Sequence, residues 1–403
     1  MSLAVKTTYE NLALTSVFNG VMQTSLFRAF DTYCQAENGA PKRRAYAAFV
    51  AEIYQNGDSL TELSEKLVFE NENVYVKAVA QNKKVSAAIL SAAKRELAVF
   101  SEFAALTVSD FAADMGVSES DLPAFSSKKK DFVGAYQKRL RSIGKYGYGI
   151  FSAHGMFRLS DDREIEPIIS ADKTTLASFV GYEKERERVI ANTRAFVENR
   201  PAANTLLCGD AGAGKSSTVK AVANAFFDEG VRLIELRKDQ LHYLPYVMGK
   251  ISGNPLKFII FIDDLSFRKS DDDFSMLKAA LEGSASAKAD NAVIYATSNR
   301  RHIIKESFSD RDGDDVHRND TLQETLSLSE RFGLVVLFSK PNKALYLEIV
   351  RELAARRGVQ MSGEELDLQA EAFALKKGSR SARCAEQFID SLLYCKMHNL
   401  TGY

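Results

Sequence analysis

The hydrophobic pattern divides the chain into two long stretches of different character. Over residues 1–125 apolar side chains recur at helical spacing, and glycine and proline are sparse. The clearest run places apolar residues at Val85, Ile89, Ala93, Leu97 and Phe100. We therefore predict a mainly helical N-terminal domain over residues 1–125.

From about residue 173 the pattern alternates between helix and strand. After a predicted helix from Glu183 to Asn199, strands are expected at 204–208, 232–236, 258–262, 292–297 and 333–338. Residues 258–262 form an unbroken apolar run, which is typical of a parallel strand covered on both faces. The pattern predicts an α/β nucleotide-binding domain over 173–340, a three-layer sandwich with a parallel five-stranded sheet.

Two segments complete the predicted organisation. Residues 126–172 join a basic run to the glycine- and aromatic-rich stretch 146–151, which indicates a connector with few long elements. Beyond Pro341 the pattern is helical only, so residues 341–403 are predicted to form a small C-terminal lid.

Composition narrows the class of protein. The chain has 403 residues with 53 basic and 53 acidic side chains, so its bulk charge indicates neither a nucleic acid nor a membrane partner. The four cysteines lack metal-ligand spacing and fit a reducing cytosol. The N-terminus shows no signal pattern, and no apolar run approaches the ~20 residues of a membrane span. A cytoplasmic protein is expected.

The strongest chemical signal lies where the first sheet strand ends. Residues 205–217 read TLLCGDAGAGKSS, an apolar strand followed by the glycine-rich Walker A pattern at the start of a helix. The residues expected around the nucleotide are Gly209, Asp210, Ala211, Gly212, Ala213, Gly214, Lys215, Ser216 and Ser217. The glycines allow successive N–H groups to face an anion, and the helix adds its positive end. Lys215 would bind the outer phosphates of ATP, and the Ser216 hydroxyl would ligate Mg²⁺.

An acidic pair supplies the second half of the predicted site. The apolar run at 258–262 ends in Asp263 and Asp264, at the sheet edge where nucleotides bind in open α/β folds. Asp263 would hold Mg²⁺, and Asp264 would orient or polarise the attacking water. The alternative is that both aspartates merely cap a helix.

Two further polar residues lie next to predicted strands. Asn299 comes after the strand at 292–297 and could reach the γ-phosphate or its water, although Ser-Asn after a strand is also a common turn. Arg331 precedes the last strand, from where it could reach the γ-phosphate of a neighbouring subunit. The simpler possibility for Arg331 is a surface ion pair with Glu330.

The order of these motifs resembles the AAA+ ATPase superfamily over residues 173–403. The strings FIIFIDDLSF, IYATSNRRHIIKESFSDR and LSLSERFG resemble more closely a bacterial AAA+ family known only as domain of unknown function 815. The resemblance implies that Gly181 and Tyr182 lie on the adenine side. It also implies that a lid arginine, Arg380 with Arg383 in reserve, reaches the phosphates, and that Arg331 acts between subunits of a homo-oligomer.

The resemblance implies an ATPase that requires Mg²⁺ and couples ATP hydrolysis to conformational change or to remodelling of a protein partner. Many AAA+ enzymes carry Glu where this chain has Asp264, so an ATP-gated switch with negligible turnover is the first alternative. The second is an initiator-type nucleic-acid remodeller. The pair Asp263-Asp264 and the basic run over 128–145 favour this alternative. Residues 112–118 resemble the centre of a helix-turn-helix, but Pro123 falls inside the would-be recognition helix.

Overall fold

The computed structural model describes residues 2–170, 172, 174–265, 277, 281, 289–299 and 331–397, with side chains described as far as residue 394. The chain forms two compact units, Met1–Ala153 with Gly253–Leu256, and His154–Ser252 with Lys257–Tyr403. The division at residue 153 falls inside the stretch that the sequence indicates as a connector. Among the described helices, none is both long enough and apolar enough to cross a lipid bilayer.

The first unit is helical, as its hydrophobic pattern indicates. Its helices are Leu3–Leu12, Asn19–Met22, Ser25–Gln35, Ala40–Tyr54, Leu60–Glu70, Val74–Ala80, Ala87–Ala104, Val108–Met115, Phe132–Arg141, Ile143–Tyr146 and Ile150–Ala153, with a 3-10 turn at Glu119–Asp121. The core is rich in aromatic rings that meet edge to face, such as Phe30 and Phe103 with centroids 4.9 Å apart. Between Val108–Met115 and Phe132–Arg141 the described chain forms one 3-10 turn and no α-helix, so no recognition helix directly follows residues 112–118.

Two buried carboxylates connect helices of this unit. The Asp114 carboxylate receives Lys42 Nζ at 2.7 Å and the Tyr33 hydroxyl at 2.7 Å. Glu96, from Ala87–Ala104, accepts the backbone N–H groups of residues 16–18 at 2.9–3.2 Å. Each buried charge is thus compensated by donors of its own unit, which is the condition for burying a carboxylate without a large penalty.

The second unit contains a mixed sheet. Its strands within the described residues are β1 Met156–Leu159, β2 Ile165–Pro167, β3 Thr205–Gly209, β4 Val231–Leu236, β5 Lys257–Ile262, β6 Ala292–Ser298 and β7 Leu334–Phe338. They are ordered β2-β1-β4-β5-β6-β3-β7, and β2 runs antiparallel to β1 while the other pairs are parallel.

The prediction of a parallel five-stranded sheet is therefore wrong. The five predicted strands are present and parallel to one another, but β1 and β2 extend the sheet to seven strands and make it mixed. Both added strands are short and carry exposed charges at Arg158 and Glu166, so they lack the apolar run that marks the interior strands.

The strand register brings three chain segments to one edge of the sheet. Ile262 of β5 pairs with Ala296 of β6, and Cys208 of β3 pairs with Ser298. Asp263 consequently lies level with Thr297, and the loop after β3 begins beside the end of β6. The carboxyl ends of parallel strands thus gather the residues that the sequence places far apart.

Helices of the second unit cover the sheet and form the lid. They are Glu183–Val197, Lys215–Ala225, Leu244–Ile251, Lys343–Arg356, Gly363–Lys377 and Ala382–Met397, with 3-10 turns at Leu176–Ser178, Phe227–Glu229 and Lys238–Tyr243. The first two helices pack on one face of the sheet, and strand residues of the opposite face are equally buried. The last three, here called the lid helices, share a separate apolar core.

Candidate functional site

The phosphate loop joins β3 to the helix Lys215–Ala225. Gly209 has φ +137°, and a Cβ there would lie 2.0 Å from the carbonyl oxygen of Phe338 on β7. Gly212 and Gly214 have φ +78° and +82°, in the left-handed region that glycine adopts without penalty. The sequence of the loop is therefore dictated by its backbone shape and by the close approach of β7.

Lys215 connects this loop to the end of β6. Its ammonium donates to the carbonyl oxygens of Gly209 at 2.9 Å and Asp210 at 2.8 Å, and to Asn299 Oδ1 at 2.9 Å. Burial lowers the pKa of the Lys215 ammonium below its ordinary value, while nearby carboxylates, Asp210 foremost, act in the opposite direction. The lysine charge thus lies beside the strand-end asparagine.

Ser216 and Asp263 meet at the same edge. The Ser216 hydroxyl donates to Asp263 Oδ1 at 2.6 Å, and the Thr297 hydroxyl donates to the same oxygen. Hydroxyl and carboxylate oxygens are ligands that Mg²⁺ accepts in proteins. The two residues predicted to hold the metal are therefore in direct contact.

Asp264 faces Asn299. The Asn299 amide donates from Nδ2 to Asp264 Oδ1 at 2.8 Å, so Asn299 links Lys215 on one side to Asp264 on the other. Asp264 has φ +51°, an uncommon conformation for a residue other than glycine. Its N–H bonds to Thr297 Oγ1 at 3.0 Å and to Asp263 Oδ1 at 3.1 Å.

The arrangement fits a magnesium–nucleotide by its donors and oxygens. In the described residues no acceptor takes the backbone N–H groups of residues 214–217, which open the helix and lack partners within it. Such N–H groups, with the helix dipole, suit phosphate oxygens. No group of three or more His, Cys, Asp or Glu side chains in the described part of the chain could hold a metal ion. Mg²⁺ usually takes one or two protein oxygens with substrate phosphates, which Ser216 and Asp263 could provide.

A cavity of about 170 Å³ opens beside the phosphate loop. Phe179, Tyr182 and Arg186 line it on one side, and Arg383 and Glu386 of the last lid helix line it on the other. Gly212 and Gly214 also line this cavity, so Tyr182 and the glycine-rich loop face the same space.

Tyr182 connects residues 181–182 to the sheet. Its hydroxyl donates to the Ser339 carbonyl at 2.6 Å, its ring lies 5.4 Å from that of Phe338, and burial raises its pKa to about 12. Gly181 precedes it with φ +73°, and a Cβ at that position would lie 2.9 Å from Leu345 of the lid. Both residues therefore lie where the lid meets the sheet.

The two lid arginines differ in their surroundings. Arg380 donates to both carboxylate oxygens of Glu371, at 3.0 and 2.8 Å. Arg383 lines the cavity, and its backbone N–H donates to the Gly212 carbonyl at 3.3 Å. The structure thus brings Arg383 to the phosphate loop and holds Arg380, the preferred candidate from the sequence, in an ion pair within the lid.

Arg331 lies at the other edge of the sheet. It precedes the amino end of β7, whereas Phe338 at the carboxyl end accepts the N–H of Asp210 at 3.3 Å. At roughly 3.3 Å per residue, β7 alone separates these ends by about 13 Å. The structure does not bring Arg331 to its own phosphate loop, and Glu330, its possible ion-pair partner, lies outside the described residues.

The sequence pattern did not predict two residues of the site. Thr297 is 2% exposed and contacts both aspartates, yet in the sequence it only ends an apolar strand. Arg186 is buried, donates to the Gly181 carbonyl and lies with its guanidinium 5.0 Å from the Phe179 ring centre. Burial lowers the pKa of Arg186. It belongs to the charged run EKERER, in which the pattern does not show which side chain points inward.

The basic run of the first unit is partly compensated. Lys128 lies 3.8 Å from Glu62, Lys130 pairs with Glu65, and Arg139 stacks 4.8 Å from the centre of an aromatic ring. These contacts reduce the charge available to a phosphate backbone, so they give no support to the nucleic-acid alternative.

Comparison with known protein families identifies the family to which the chain belongs. Residues 152–395, more than half of the chain, match the model of the family described as "Protein of unknown function (DUF815)". The chain belongs to this family. The match confirms the resemblance drawn from the sequence, and it includes the sheet and the described lid helices. No curated protein matches the chain.

Solved structures offer a weaker likeness. The RuvB Holliday junction branch migration motor of Thermotoga maritima and a variant form of the same RuvB each align with a TM-score of 0.33 and 12% identity. Each alignment covers 54% of this chain and 71% of the other. A likeness of this size carries no conclusion about the activity of the present chain.

Proposed function

We propose that this member of the DUF815 family is a cytoplasmic AAA+ ATPase that requires Mg²⁺ and uses ATP binding and hydrolysis to drive conformational change or partner remodelling. The observation that carries the proposal is a continuous chain of hydrogen bonds at the sheet edge. It runs through Lys215, Asn299, Asp264, Thr297, Asp263 and Ser216.

In this proposal each residue has one task. The loop N–H groups and Lys215 bind the phosphates, and the lysine supplies the full charge for the outermost ones. Ser216 and Asp263 hold Mg²⁺, which neutralises charge on the β- and γ-phosphates. Asp264 and Asn299 orient the attacking water, with the Asn299 amide fixed by its two partners. Within the described residues the thiols of Cys34 and Cys384 form no disulfide, which fits a reducing cytoplasm.

The lid and the seam between subunits complete the proposal. Arg383 reaches the nucleotide from the lid in place of Arg380, because it already contacts Gly212. Arg331 acts on the nucleotide of a neighbouring copy, because it lies at the sheet edge opposite to its own phosphate loop. A homo-oligomer follows as the active form.

A specific contact favours the ATP-gated switch as a second candidate. The Asp264 carboxylate is short for an AAA+ catalytic position and already accepts a hydrogen bond from Asn299 at 2.8 Å. A carboxylate engaged in this way polarises water less strongly, and turnover would then be negligible while binding remained.

One experiment separates the two candidates. ATP binding by calorimetry and steady-state hydrolysis are measured for the parent, for Asp264→Asn, and for Glu198→Gln as an exposed control at the opposite sheet edge. An ATPase predicts parental binding by Asp264→Asn with hydrolysis reduced at least ~100-fold, and a control equal to the parent. Binding without hydrolysis in the parent supports the switch, and no binding of ATP by the parent contradicts both.

The role of Arg331 has its own test. Arg331→Ala should lose on the order of 10³–10⁵ in hydrolysis, and mixing it with Lys215→Ala chains should restore part of it, since a seam can pair an intact pocket with an intact arginine. Hydrolysis strictly proportional to protein concentration, without rescue on mixing, would exclude action between subunits.

A further inference from the structure

Thr297 is a buried polar residue whose hydroxyl both donates and accepts a hydrogen bond. Only 2% of the residue is exposed, and it follows the apolar residues of β6. Its hydroxyl donates to Asp263 Oδ1 and accepts the backbone N–H of Asp264 at 3.0 Å. A buried hydroxyl requires hydrogen-bond partners, and both partners of this one are aspartates of the candidate site.

The strand pairing explains why Thr297 reaches both aspartates. Side chains two residues apart point to the same sheet face, so Thr297 shares the face of Tyr295, and Asp263 shares that of Phe261. Phe261 and Tyr295 belong to the core beneath the helix that begins with Lys215. Thr297 and Asp263 therefore emerge from the sheet on the side of the phosphate loop.

The backbone at Asp264 depends on this contact. Asp264 has φ +51°, and a non-glycine residue keeps such a conformation only where its surroundings hold it. Thr297 holds it twice, through its hydroxyl to the N–H of Asp264 and through its carbonyl, which accepts the N–H of Leu265 at 2.7 Å. The backbone turn at Asp264 aims its carboxylate at Asn299.

We propose that Thr297 is a positioning residue that sets both aspartates at once. Its hydroxyl orients Asp263 Oδ1 toward Ser216 and fixes the turn that directs Asp264 toward Asn299. The inference rests on the proposed function, since it assigns Asp263 to Mg²⁺ and Asp264 to the water. A residue of this kind changes metal affinity and turnover without itself touching the nucleotide or the metal.

Three variants isolate the hydroxyl. Thr297→Val keeps the shape and removes the hydroxyl, Thr297→Ser keeps the hydroxyl, and Thr297→Ala matches the serine variant in lacking the methyl group. We titrate Mg²⁺ into each protein with ATP by calorimetry and follow Mn²⁺ binding by paramagnetic resonance. The valine and alanine variants should need about 10–100 times more metal for half-maximal binding, as when a partner of a metal ligand is removed. The serine variant should remain within about threefold of the parent.

Stability and metal-free binding complete the test. ATP affinity without metal should stay near the parental value in all three variants, because within the described residues the hydrogen bonds of the Thr297 side chain go to Asp263 and Asp264 and not to the phosphate loop. If the valine variant does not fold, the serine and alanine pair decides, since the two differ only in the hydroxyl. Parental metal dependence in the valine and alanine variants would overturn the proposal.

The titration also separates this inference from the proposed function. A parent that binds Mg²⁺ with ATP but does not hydrolyse it contradicts the ATPase, while the metal titration still decides the role of Thr297. A parent in which Mg²⁺ does not affect ATP binding contradicts the assignment of Asp263 and with it the role of Thr297.

Discussion

Lys42 in the first unit and Lys215 in the second are both nearly inaccessible, with 3% and 5% of their surfaces exposed, but their partners differ. The Lys42 ammonium lies 2.7 Å from the carboxylate of Asp114. The Lys215 ammonium is held by two carbonyl oxygens and one amide oxygen, which are neutral. Lys42 therefore has a carboxylate in direct contact, whereas the direct partners of Lys215 are neutral and the nearby carboxylates, Asp210 foremost, act on it without a direct hydrogen bond.

The comparison distinguishes a structural buried charge from a functional one. In a buried ion pair each charge compensates the other, so removal of one partner is strongly destabilising because it leaves an uncompensated buried charge. A buried ammonium held by dipoles is disfavoured by burial, as the lowered pKa of Lys215 indicates, and a polyphosphate would relieve that penalty. The same physical reasoning applies to any buried lysine near a glycine-rich loop.

The largest expected effect concerns nucleotide binding. Lys215→Met should weaken ATP binding at least ~100-fold, because the charge-assisted contact with the outer phosphates is lost. Lys42→Met serves as the matched control and should bind ATP like the parent. Calorimetry with both variants tests this directly, and equal affinities would remove the distinction between the two lysines.

In stability the order of the two variants should be reversed, so that Lys42→Met has the larger effect on the free energy of unfolding. Lys42→Met leaves the Asp114 carboxylate buried without its ion-pair partner and should lower the free energy of unfolding of the first unit by ~3–5 kcal/mol. Lys215→Met removes a charge that burial disfavours and should change it by less than about 1 kcal/mol. Denaturant unfolding followed by circular dichroism measures both values. A larger loss for Lys215→Met would show that this lysine is mainly structural.

Low pH should destabilise the first unit through protonation of Asp114. Burial alone would raise its pKa, but hydrogen bonds from Lys42, Tyr33 and the N–H of Ser2 outweigh burial and lower it. The unfolded carboxyl titrates near pH ~3.9, so this stabilisation is complete above that pH and is lost as pH falls through the lower folded pKa. Asp114→Asn should be less stable at pH 7 and show less further loss of Tm below pH ~4 than the parent. Parallel Tm curves would contradict this assignment.

The smallest effect should separate the lid arginines. Arg383→Ala removes a side chain that lines the cavity and should weaken ATP binding by roughly 3–10-fold, the size of one exposed charged contact. Arg380→Ala breaks the pair with Glu371 and should affect binding less than Arg383→Ala. The opposite order in calorimetry would return the sensor role to Arg380.

The local sequence pattern is enough to predict which residues meet at the sheet edge, because each of them directly follows a recognisable strand. The phosphate loop, the aspartates after β5 and the asparagine after β6 each follow an apolar strand, and parallel pairing brings strand ends together. The pairing of Arg380 with Glu371 could not be predicted, because the partner lies on the preceding lid helix and no local pattern marks it.

The two missed strands show a different limit. β1 and β2 are short and partly exposed, so neither has the apolar run or the regular alternation that marks a strand in sequence. β1 joins the sheet by pairing with β4, whose sequence lies more than seventy residues later. Thr297 was missed for a similar reason, since its role depends on the register between β5 and β6.

β7 has one more consequence, which is mechanical. Its amino end follows Arg331, and at its carboxyl end the Phe338 carbonyl lies against Gly209 and Asp210 of the phosphate loop. A strand resists stretching, so a force on one end is transmitted to the other with little loss. In the proposed homo-oligomer, where Arg331 would engage the nucleotide of a neighbouring copy, β7 would connect that nucleotide mechanically to the phosphate loop of its own subunit. Loss of a phosphate in one subunit would then change the tension on the loop of the next.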